Sequence, residues 1–258
     1  MSYTNLVLER RGAALRITLA RPEVLNALSL ELLEELADAL HGPAAEAAVR
    51  AVLITGVGRG FSAGADLADT PVDADIGPLL ERYYHPVVSA IQLLEKPVVA
   101  GVNGVAAGAG LSLAAACDVR IASSEARFAL GFTGIGLVMD AGCSYFLPRL
   151  IGVGRTMELA LSNRRVEASE ALGMGLVERV LPAEGFPDAV WQVVSDMAVG
   201  PTLAFSLVKK ELRASLANDL LSQLRLESGV QSSAAASRDA REGVRAFREK
   251  RPPTFEGG

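Results

Sequence analysis

Two glycine-rich segments, each directly after a short apolar run, constrain the fold of this chain more than any other feature. The first, residues 56–67, follows Ala51–Thr55, and the second, residues 103–110, follows Val98–Val102. Apolar runs of this length are typical of strands buried on both faces of a parallel sheet. Loops at the ends of neighbouring parallel strands meet at one edge of the sheet, so we expect their backbone amides to lie together.

Neither loop has the pattern of a nucleotide-phosphate site. No Gly-Lys-Ser/Thr follows the first loop, and an intact GxGxxG with its helix and its ribose-binding acid is missing. Two loops rich in small residues can instead each offer one N–H to the same oxygen, which is how an oxyanion hole is built. Glycines that serve only tight helix packing are the alternative for the second loop.

The remaining pattern predicts an α/β fold over the first two thirds of the chain and helices from Phe186 onwards. We therefore expect a core over residues 1–185 and a helical region over residues 186–258. The apolar spacing predicts a hairpin of Leu6–Leu8 and Leu15–Leu19, helices over residues 30–40 (capped by Ser29), 79–94 and 110–116, and strands over 51–55, 98–102 and 118–122.

The composition excludes several classes of function. Two cysteines and two widely separated histidines provide neither a disulfide framework nor a zinc site. A net charge of −5 argues against nucleic acid as the main partner. No apolar run reaches the roughly 18 residues of a membrane-spanning helix, and residues 1–11 lack a signal-peptide pattern. We expect a cytoplasmic protein that binds no metal, nucleic acid or membrane.

Positive charge is concentrated near the end of the chain. Residues 238–251 carry six basic and three acidic side chains, a net charge of +3 in an otherwise acidic protein. A solvated helix face and a contact with an anionic ligand or a neighbouring subunit are both open interpretations.

Three motifs together resemble the enoyl-CoA hydratase/isomerase (crotonase) superfamily: Phe61–Leu67, Pro97–Gly104 leading into Gly108-Ala109-Gly110, and Cys117-Asp118. The similarity covers essentially the whole chain, from the turn Arg21–Leu28 to the segment Arg241–Arg251. The resemblance implies the crotonase fold, in which repeated ββα units precede a helical C-terminal region used in trimerisation. A homotrimer, or a hexamer that is a dimer of trimers, is the assembly it implies.

The resemblance also implies an acyl-CoA thioester ligand, with no metal or redox cofactor. Its carbonyl oxygen would accept hydrogen bonds from the backbone N–H groups of Ala65 and Ala109. The positive tail then gains a role, because Lys and Arg can meet the phosphates of CoA. The positions matching the substrate and CoA contacts are Leu25, Ala63, Asp66, Leu67 and Phe132, with Phe247 and Lys250 reaching CoA across a subunit boundary.

One departure from the family pattern bears on the reaction. Hydratases of the superfamily add water with two glutamates, and the matching positions here hold Ser112 and Phe132. Neither side chain can act as a carboxylate acid or base, so hydration by the two-glutamate route is disfavoured.

The sequence offers Asp140 instead, within the apolar and glycine-containing stretch 134–142. An N-cap of a helix starting at Ala141 is an alternative role. An aspartate here resembles the isomerases of the superfamily, in particular the ring-epoxide isomerases of phenylacetate catabolism, which form oxepin-CoA. The segments Tyr83–Pro86, 102–110 and 135–149 carry this resemblance, although Met139 and Cys143 replace a usual proline and glycine.

We therefore expect Asp140 to take a proton from one carbon of the thioester and return it to another. A base works best with a pKa near ambient pH, so apolar surroundings should raise the pKa of Asp140 above its usual ~3.9. The candidate apolar wall is Phe128, Leu130, Phe132, Leu137 and Met139, each of which can also be ordinary core.

Other roles stay open from sequence. Tyr83, Tyr84 and His85 either line an aryl pocket or cover a helix face, and His85 is a weak candidate for a second acid or base. Ser112 lacks the surroundings of a nucleophile. The alternatives to an isomerase are a hydratase that uses another residue, a dehalogenase-like enzyme with Asp140 as nucleophile, and a non-catalytic CoA-binding or RNA-associated protein.

Overall fold

The computed structural model describes residues 3–68 and 75–258. Strands and helices alternate through the first two thirds of the chain, as the sequence predicted. The strands are β1 (Leu6–Arg11), β2 (Ala14–Leu19), β3 (Ala51–Gly56), β4 (Gly60–Ser62), β5 (Val98–Val102), β6 (Val105–Ala107), β7 (Val119–Ser123), β8 (Arg127–Ala129), β9 (Val166–Glu167) and β10 (Arg179–Leu181).

The helices include the predicted ones. The α-helices are α1 (Leu30–His41), α2 (Ile76–Leu79), α3 (His85–Leu93), α4 (Ala109–Ala116), α5 (Cys143–Ile151), α6 (Val153–Ser162), α7 (Ala168–Met174), α8 (Phe186–Ala198), α9 (Thr202–Ser215), α10 (Leu220–Ala235) and α11 (Arg238–Glu249). Short 3₁₀ turns occupy Pro22–Val24, Pro43–Ala45 and Thr133–Ile135.

The larger sheet has the strand order β1-β2-β3-β5-β7-β10. The antiparallel pair β1–β2 is the predicted hairpin, and every other neighbouring pair in this sheet is parallel. Strands β3 and β5 are buried almost throughout, because helix α8 covers one face of the sheet and the main core covers the other. Their continuous apolar sequence follows from this double burial.

The smaller sheet, β4-β6-β8-β9, lies beside the larger one. Strands β4, β6 and β8 directly follow β3, β5 and β7, and a helical segment comes after each pair, so the predicted ββα units are confirmed. Each glycine-rich loop contains one strand, β4 or β6, that the sequence analysis did not predict. Three-residue strands of small residues lack the periodicity that reveals longer strands.

One predicted helix is confirmed at its first residue, and another differs from its predicted form. Helix α1 begins as expected, since the Ser29 hydroxyl oxygen accepts a hydrogen bond from the N–H of Leu32 at 3.2 Å. The continuous helix predicted over residues 79–94 is wrong in detail: the segment starts at Ile76, passes through a π-helical turn at Leu80–Tyr84 and ends at Leu93. Pro86 has no N–H for the carbonyl four residues earlier, and the wider turn accommodates that missing bond.

Residues 186–258 form four helices, as the sequence predicted. Helix α8 packs on the larger sheet through Val190, Trp191 and Val194. Helix α9 is tied to the core by Lys209, whose Nζ lies 2.8 Å from a carboxylate oxygen of Asp118. The division of the chain at residue 185 stays a prediction. No helix within residues 3–68 and 75–258 is long and apolar enough to cross a membrane.

Candidate active site

The first glycine-rich loop orients the N–H of Ala65. Leu28 forms a parallel bridge with Ala65: the Leu28 N–H donates to the Gly64 carbonyl at 2.7 Å, and the Asp66 N–H donates to the Leu28 carbonyl at 3.1 Å. The Gly64 carbonyl and the Ala65 N–H belong to one trans peptide group, so they point in opposite directions. The Ala65 N–H therefore points away from Leu28.

The second loop brings another amide to the same place. Ala109 is the first residue of α4, so its N–H has no acceptor within the helix. A Cβ atom built on Gly64 would lie 2.8 Å from the Ala107 carbonyl oxygen and 3.3 Å from the Ala109 nitrogen. Gly64 also has a φ of +101°, which other residues rarely adopt. The two loops are in backbone contact, and the amides of Ala65 and Ala109 lie at this contact.

Asp140 lies on the segment that leads into α5. Its carbonyl oxygen accepts a hydrogen bond from the Cys143 N–H at 2.8 Å, while Gly142 occupies the N-cap position and no side chain caps the helix. The alternative role of Asp140 as the N-cap is therefore wrong. Its Oδ1 atom is buried, and within residues 3–68 and 75–258 this atom has no hydrogen-bond partner.

Burial changes the acidity of this carboxyl group. Desolvation raises the pKa of Asp140 to about 6, and the nearby imidazole of His85, when protonated, lowers it by a smaller amount. His85 is itself exposed at the start of α3, and its use as a second acid or base stays a hypothesis. At neutral pH Asp140 is thus largely ionised but binds a proton more readily than an exposed aspartate does.

Ser112 and Cys143 connect the first turns of α4 and α5. The Cys143 thiol is hydrogen-bonded to the Ser112 hydroxyl group, and burial raises the pKa of this thiol to about 12. Ser112 lies three residues after Ala109, and Cys143 lies three residues after Asp140. The contact therefore places the segment that carries Asp140 beside the helix that begins with the Ala109 amide.

The predicted apolar wall is only partly formed by buried residues. Phe128, Leu130 and Phe132 belong to the main core, and Met139 packs against it half-buried, but Leu137 is 42% exposed. No carboxylate stands at position 132 or at the buried Ser112.

The first loop holds three of the residues predicted to contact substrate or CoA, namely Ala63, Asp66 and Leu67, and a fourth, Leu25, lies in the turn beside it. The carbonyl of Leu25 accepts a hydrogen bond from the Ala63 N–H at 2.9 Å, which places both residues at the turn beside Ala65. Leu67 is exposed, and Asp66 is bound to Arg21. Their contacts with a ligand stay predictions.

Phe247 and Lys250 lie on another part of the molecule. Phe247 is 84% exposed on α11, and Lys250 is the residue that ends this helix. Within the chain, α11 contacts α10 and the segment 252–258, to which Asp239 and Glu242 are hydrogen-bonded. The structure does not bring these two residues to the glycine-rich loops, and their role across a subunit boundary stays a prediction.

The aromatic residues before α3 differ in position. Tyr84 is buried, with its hydroxyl group 3.5 Å from the Leu28 carbonyl, so it packs behind the Ala65 loop. Tyr83 packs half-buried against the core, and the guanidinium of Arg82 lies 5.2 Å from its ring centre.

An apolar groove of about 650 Å³ lies away from these loops, between α9 and the start of β7. None of the residues predicted to bind substrate or to act in catalysis lines it. One of its lining residues, Phe146, has its ring 2.6 Å from where a Cβ atom on Gly142 would lie. Within the described ranges, no cluster of three or more His, Cys, Asp or Glu residues could hold a metal ion.

Two residues near the site, Arg21 and Gly64, make contacts that were not predicted from the sequence. Arg21 belongs to the motif Arg21–Leu28, and no local pattern in that motif indicates that its side chain binds Asp66, 45 residues later. The close approach of Gly64 to the second loop depends on tertiary structure, and only the density of small residues in both loops indicated it.

The arrangement of ββα units is the crotonase fold. The chain superimposes with a TM-score of 0.93 on the crystal structure of an enoyl-CoA hydratase from Bacillus anthracis, at 34% identity over 99% of this chain and 100% of the other. The expected fold is thus confirmed.

The chain belongs to the enoyl-CoA hydratase/isomerase family, whose model matches residues 9–258. It is 44% identical to a Rhodobacter capsulatus protein named "Probable enoyl-CoA hydratase", over the full length of both chains. It is also 41% identical to the 1,2-epoxyphenylacetyl-CoA isomerase of Escherichia coli, over 93% of this chain and 94% of the relative. The two names differ in the reaction, so family membership alone does not select between hydratase and isomerase.

Proposed function

We propose that this protein is an acyl-CoA isomerase in which Asp140 transfers a proton between two carbons of the substrate. The observation that carries this proposal is the half-buried carboxyl group of Asp140, whose Oδ1 atom is buried without a hydrogen-bond partner among the described residues and whose pKa is raised to about 6. A structural aspartate would be expected to bond both oxygens, because burying an unpaired polar atom costs free energy. A carboxylate oxygen with no partner among the described residues, on a segment that packs beside the helix beginning with Ala109, is suited to acid–base chemistry.

The amides of Ala65 and Ala109 form the oxyanion hole in this proposal. Their N–H groups bind the carbonyl oxygen of the thioester and stabilise the negative charge that develops there during deprotonation. Both donors are fixed before the substrate binds, so little reorganisation is needed. The N-terminus of α4 adds the partial positive charge of a helix dipole at the same point.

The reaction is a balanced proton shift. For a 3-enoyl thioester, Asp140 removes a proton from C2, and the electron pair delocalises onto the adjacent thioester oxygen and, through the C3=C4 double bond, onto C4. The protonated carboxyl group then returns the proton to C4 as the double bond forms between C2 and C3. The product is the 2-enoyl thioester, and no water, metal or redox cofactor is required. The same groups can assist the rearrangement of ring-1,2-epoxyphenylacetyl-CoA to oxepin-CoA, which is also an isomerisation in which no atoms are gained or lost.

The site lacks what the usual hydration route requires. Ser112 and Phe132 occupy the two positions where hydratases of this family carry glutamates, and both side chains are buried in the core. A hydratase would therefore need Asp140 alone to activate water, with no second carboxylate to protonate the adjacent carbon.

The test compares the wild type with Asp140→Asn and Asp140→Glu. Each purified protein is incubated with a 3-enoyl-CoA, with crotonyl-CoA and with ring-1,2-epoxyphenylacetyl-CoA, and products are separated by chromatography. We expect isomerisation by the wild type, a loss of about 10²–10⁴-fold in Asp140→Asn and partial activity in Asp140→Glu.

Other outcomes would point elsewhere. Rapid hydration of crotonyl-CoA by the wild type would favour a hydratase, and unchanged isomerisation by Asp140→Asn would contradict the proposed base. Tight binding of CoA thioesters with no turnover of any of them would favour a non-catalytic CoA-binding protein.

The proposal also includes the assembly of the chain and its contact with CoA. We propose a homotrimer, alone or paired into a hexamer, in which Phe247 and Lys250 of one chain contact CoA held by its neighbour. Light scattering gives the number of chains, and Lys250→Ala is expected to raise KM for the thioester with little change in kcat. A monomer that binds CoA normally would contradict this arrangement.

A further inference from the structure

The guanidinium of Arg21 joins two segments that are far apart in sequence. Its Nη1 donates to the carbonyl oxygen of Ala27 at 2.8 Å and to Oδ2 of Asp66 at 2.8 Å. The two side chains are only 20% and 12% exposed, so water screens this ion pair weakly. The other oxygen of Asp66 accepts the N–H of Ala68 at 3.2 Å.

The turn that carries Arg21 is held in one conformation. The Arg21 N–H donates to the Asn26 side chain at 2.9 Å, and the Asn26 N–H donates to the Arg21 carbonyl at 2.8 Å. The fully buried Asn26 amide donates in turn to the carbonyls of Val57 and Gly60. Leu25 and Asn26 have φ values of +52° and +56°, a conformation that these bonds maintain against its cost. The turn is therefore a rigid support against which the first glycine-rich loop is aligned.

The turn binds Gly64 and Asp66, the two residues that flank Ala65. Leu28, at the end of the turn, bonds the Gly64 carbonyl and the Asp66 N–H, and Arg21 holds the Asp66 side chain. We propose that Arg21 is a positioning residue for the Ala65 amide, whose N–H direction it fixes through Asp66. The inference rests on the proposed function, in which this amide binds the thioester oxygen. It also gives Asp66 a role in the fold of the loop that is separate from its predicted contact with CoA.

An arginine suits this position better than a lysine does. A planar guanidinium presents several N–H groups in a fixed fork, so it can hold a carbonyl and a carboxylate at once. A lysine ammonium keeps the charge without this fixed geometry. An oxyanion hole is sensitive to such support, because a donor stabilises the developing charge only when it is aimed at the oxygen.

The experiment measures the polarisation of the thioester directly. Butyryl-CoA labelled with ¹³C at the thioester carbon has no double bond to shift, so it binds without reacting. Infrared difference spectra report its carbonyl stretching band in the wild type, Arg21→Met, Arg21→Lys and Asp66→Asn. Arg10→Met is a matched control, because Arg10 also bonds two backbone carbonyls and lies 3.6 Å from the carboxylate of Glu46, but it lies on β1.

We expect binding to the wild type and to Arg10→Met to move the band to lower wavenumber. Arg21→Met should lose about half of this displacement, since one of two donors is misaligned, and its kcat should fall about 10- to 100-fold with little change in KM. Arg21→Lys and Asp66→Asn should lie between these limits. If Arg21→Met does not fold, Arg21→Lys and Asp66→Asn still test the proposal.

The failures of the inference and of the proposed function are distinguishable. A full displacement and wild-type kcat in all three variants at positions 21 and 66, together with an inactive Asp140→Asn, would overturn the inference alone. A wild type that binds butyryl-CoA without any displacement would instead overturn the oxyanion hole itself.

Discussion

Gly110 on α4 passes so close to Ser62 on β4 that a methyl group on Gly110 would lie 2.4 Å from the Ser62 carbonyl oxygen. This contact joins the two glycine-rich loops three residues before Ala65 and one residue after Ala109. The distance between the loops is thus set by backbone atoms, which cannot turn aside as a side chain can.

Replacement of Gly110 by alanine is expected to separate the loops. The new methyl group must displace α4 or β4, at a cost of about 1–3 kcal/mol in the free energy of unfolding, and kcat should fall by at least about tenfold. The control is Gly154→Ala on α6, where a Cβ atom meets nothing within 4 Å. That variant should be equally active and up to about 1 kcal/mol more stable. Urea unfolding and steady-state kinetics give both values, and a fully active Gly110→Ala would contradict the expectation.

The rate should depend on pH through Asp140. A base must be deprotonated to act, so kcat/KM for isomerisation should fall tenfold per pH unit below the pKa of about 6 and stay level above it. In His85→Gln the fall in kcat/KM should begin at a higher pH. The reason is that removal of a nearby cation removes the interaction that lowers the pKa of Asp140. If kcat/KM instead began to fall only near pH 4, the carboxyl group would be well solvated in the working enzyme.

Asp140→Asn should stabilise the protein at neutral pH. Because burial raises the pKa of Asp140 from 3.8 to about 6, the folded state retains a proton between these values that the unfolded chain has lost. Stability therefore falls as pH rises through this window, by an upper limit of about 3 kcal/mol that partial exposure reduces to about 1–2 kcal/mol. The asparagine variant avoids this cost above pH 6 and gains nothing at pH 4. Denaturant titrations at both pH values measure the difference, with Asp196→Asn on the exposed face of α8 as the control.

The ion pair of Lys209 with Asp118 is expected to be necessary for the attachment of α9. Lys209→Met leaves the largely buried Asp118 carboxylate without its cation, which should lower the free energy of unfolding by about 3 kcal/mol at pH 7. Burial already raises the pKa of Asp118, so this loss should diminish in acid as the carboxyl group becomes neutral. Lys210→Met, at the exposed neighbouring position, should change stability little. Equal effects of the two substitutions would show that the pair contributes nothing.

The strands and helices that the sequence predicted are those whose pattern lies within one short segment of the chain. Ala51–Gly56 and Val98–Val102 are continuous apolar runs, and Ser29 precedes a regular helical spacing. Strands β4 and β6 were not predicted because they depend on pairing between distant segments. β4 pairs with β6, which also pairs with β8, and paired residues such as Gly60 and Val105 are far apart in sequence.

The candidate site likewise contains features that a local pattern indicates and contacts that depend on tertiary structure. The position of Asp140 could be inferred from its apolar surroundings, and the two loops could be inferred from their glycines. The contact of Asp66 with Arg21 spans 45 residues, and no local pattern at Asp66 distinguishes a carboxylate that faces a ligand from one that holds an arginine. The hydrogen bond between Ser112 and Cys143 likewise depends on how two helices pack.

The donors that we propose at Ala65 and Ala109 are peptide groups, and this has a consequence for how such a protein can change over generations. A single codon change alters a side chain but leaves the N–H in place unless it introduces proline. The proposed base, Asp140, is in contrast one side chain on a separate segment. Mutation can thus exchange the proton-transfer group while the means of holding a thioester is inherited intact, so related chains can diverge in reaction without first losing their substrate.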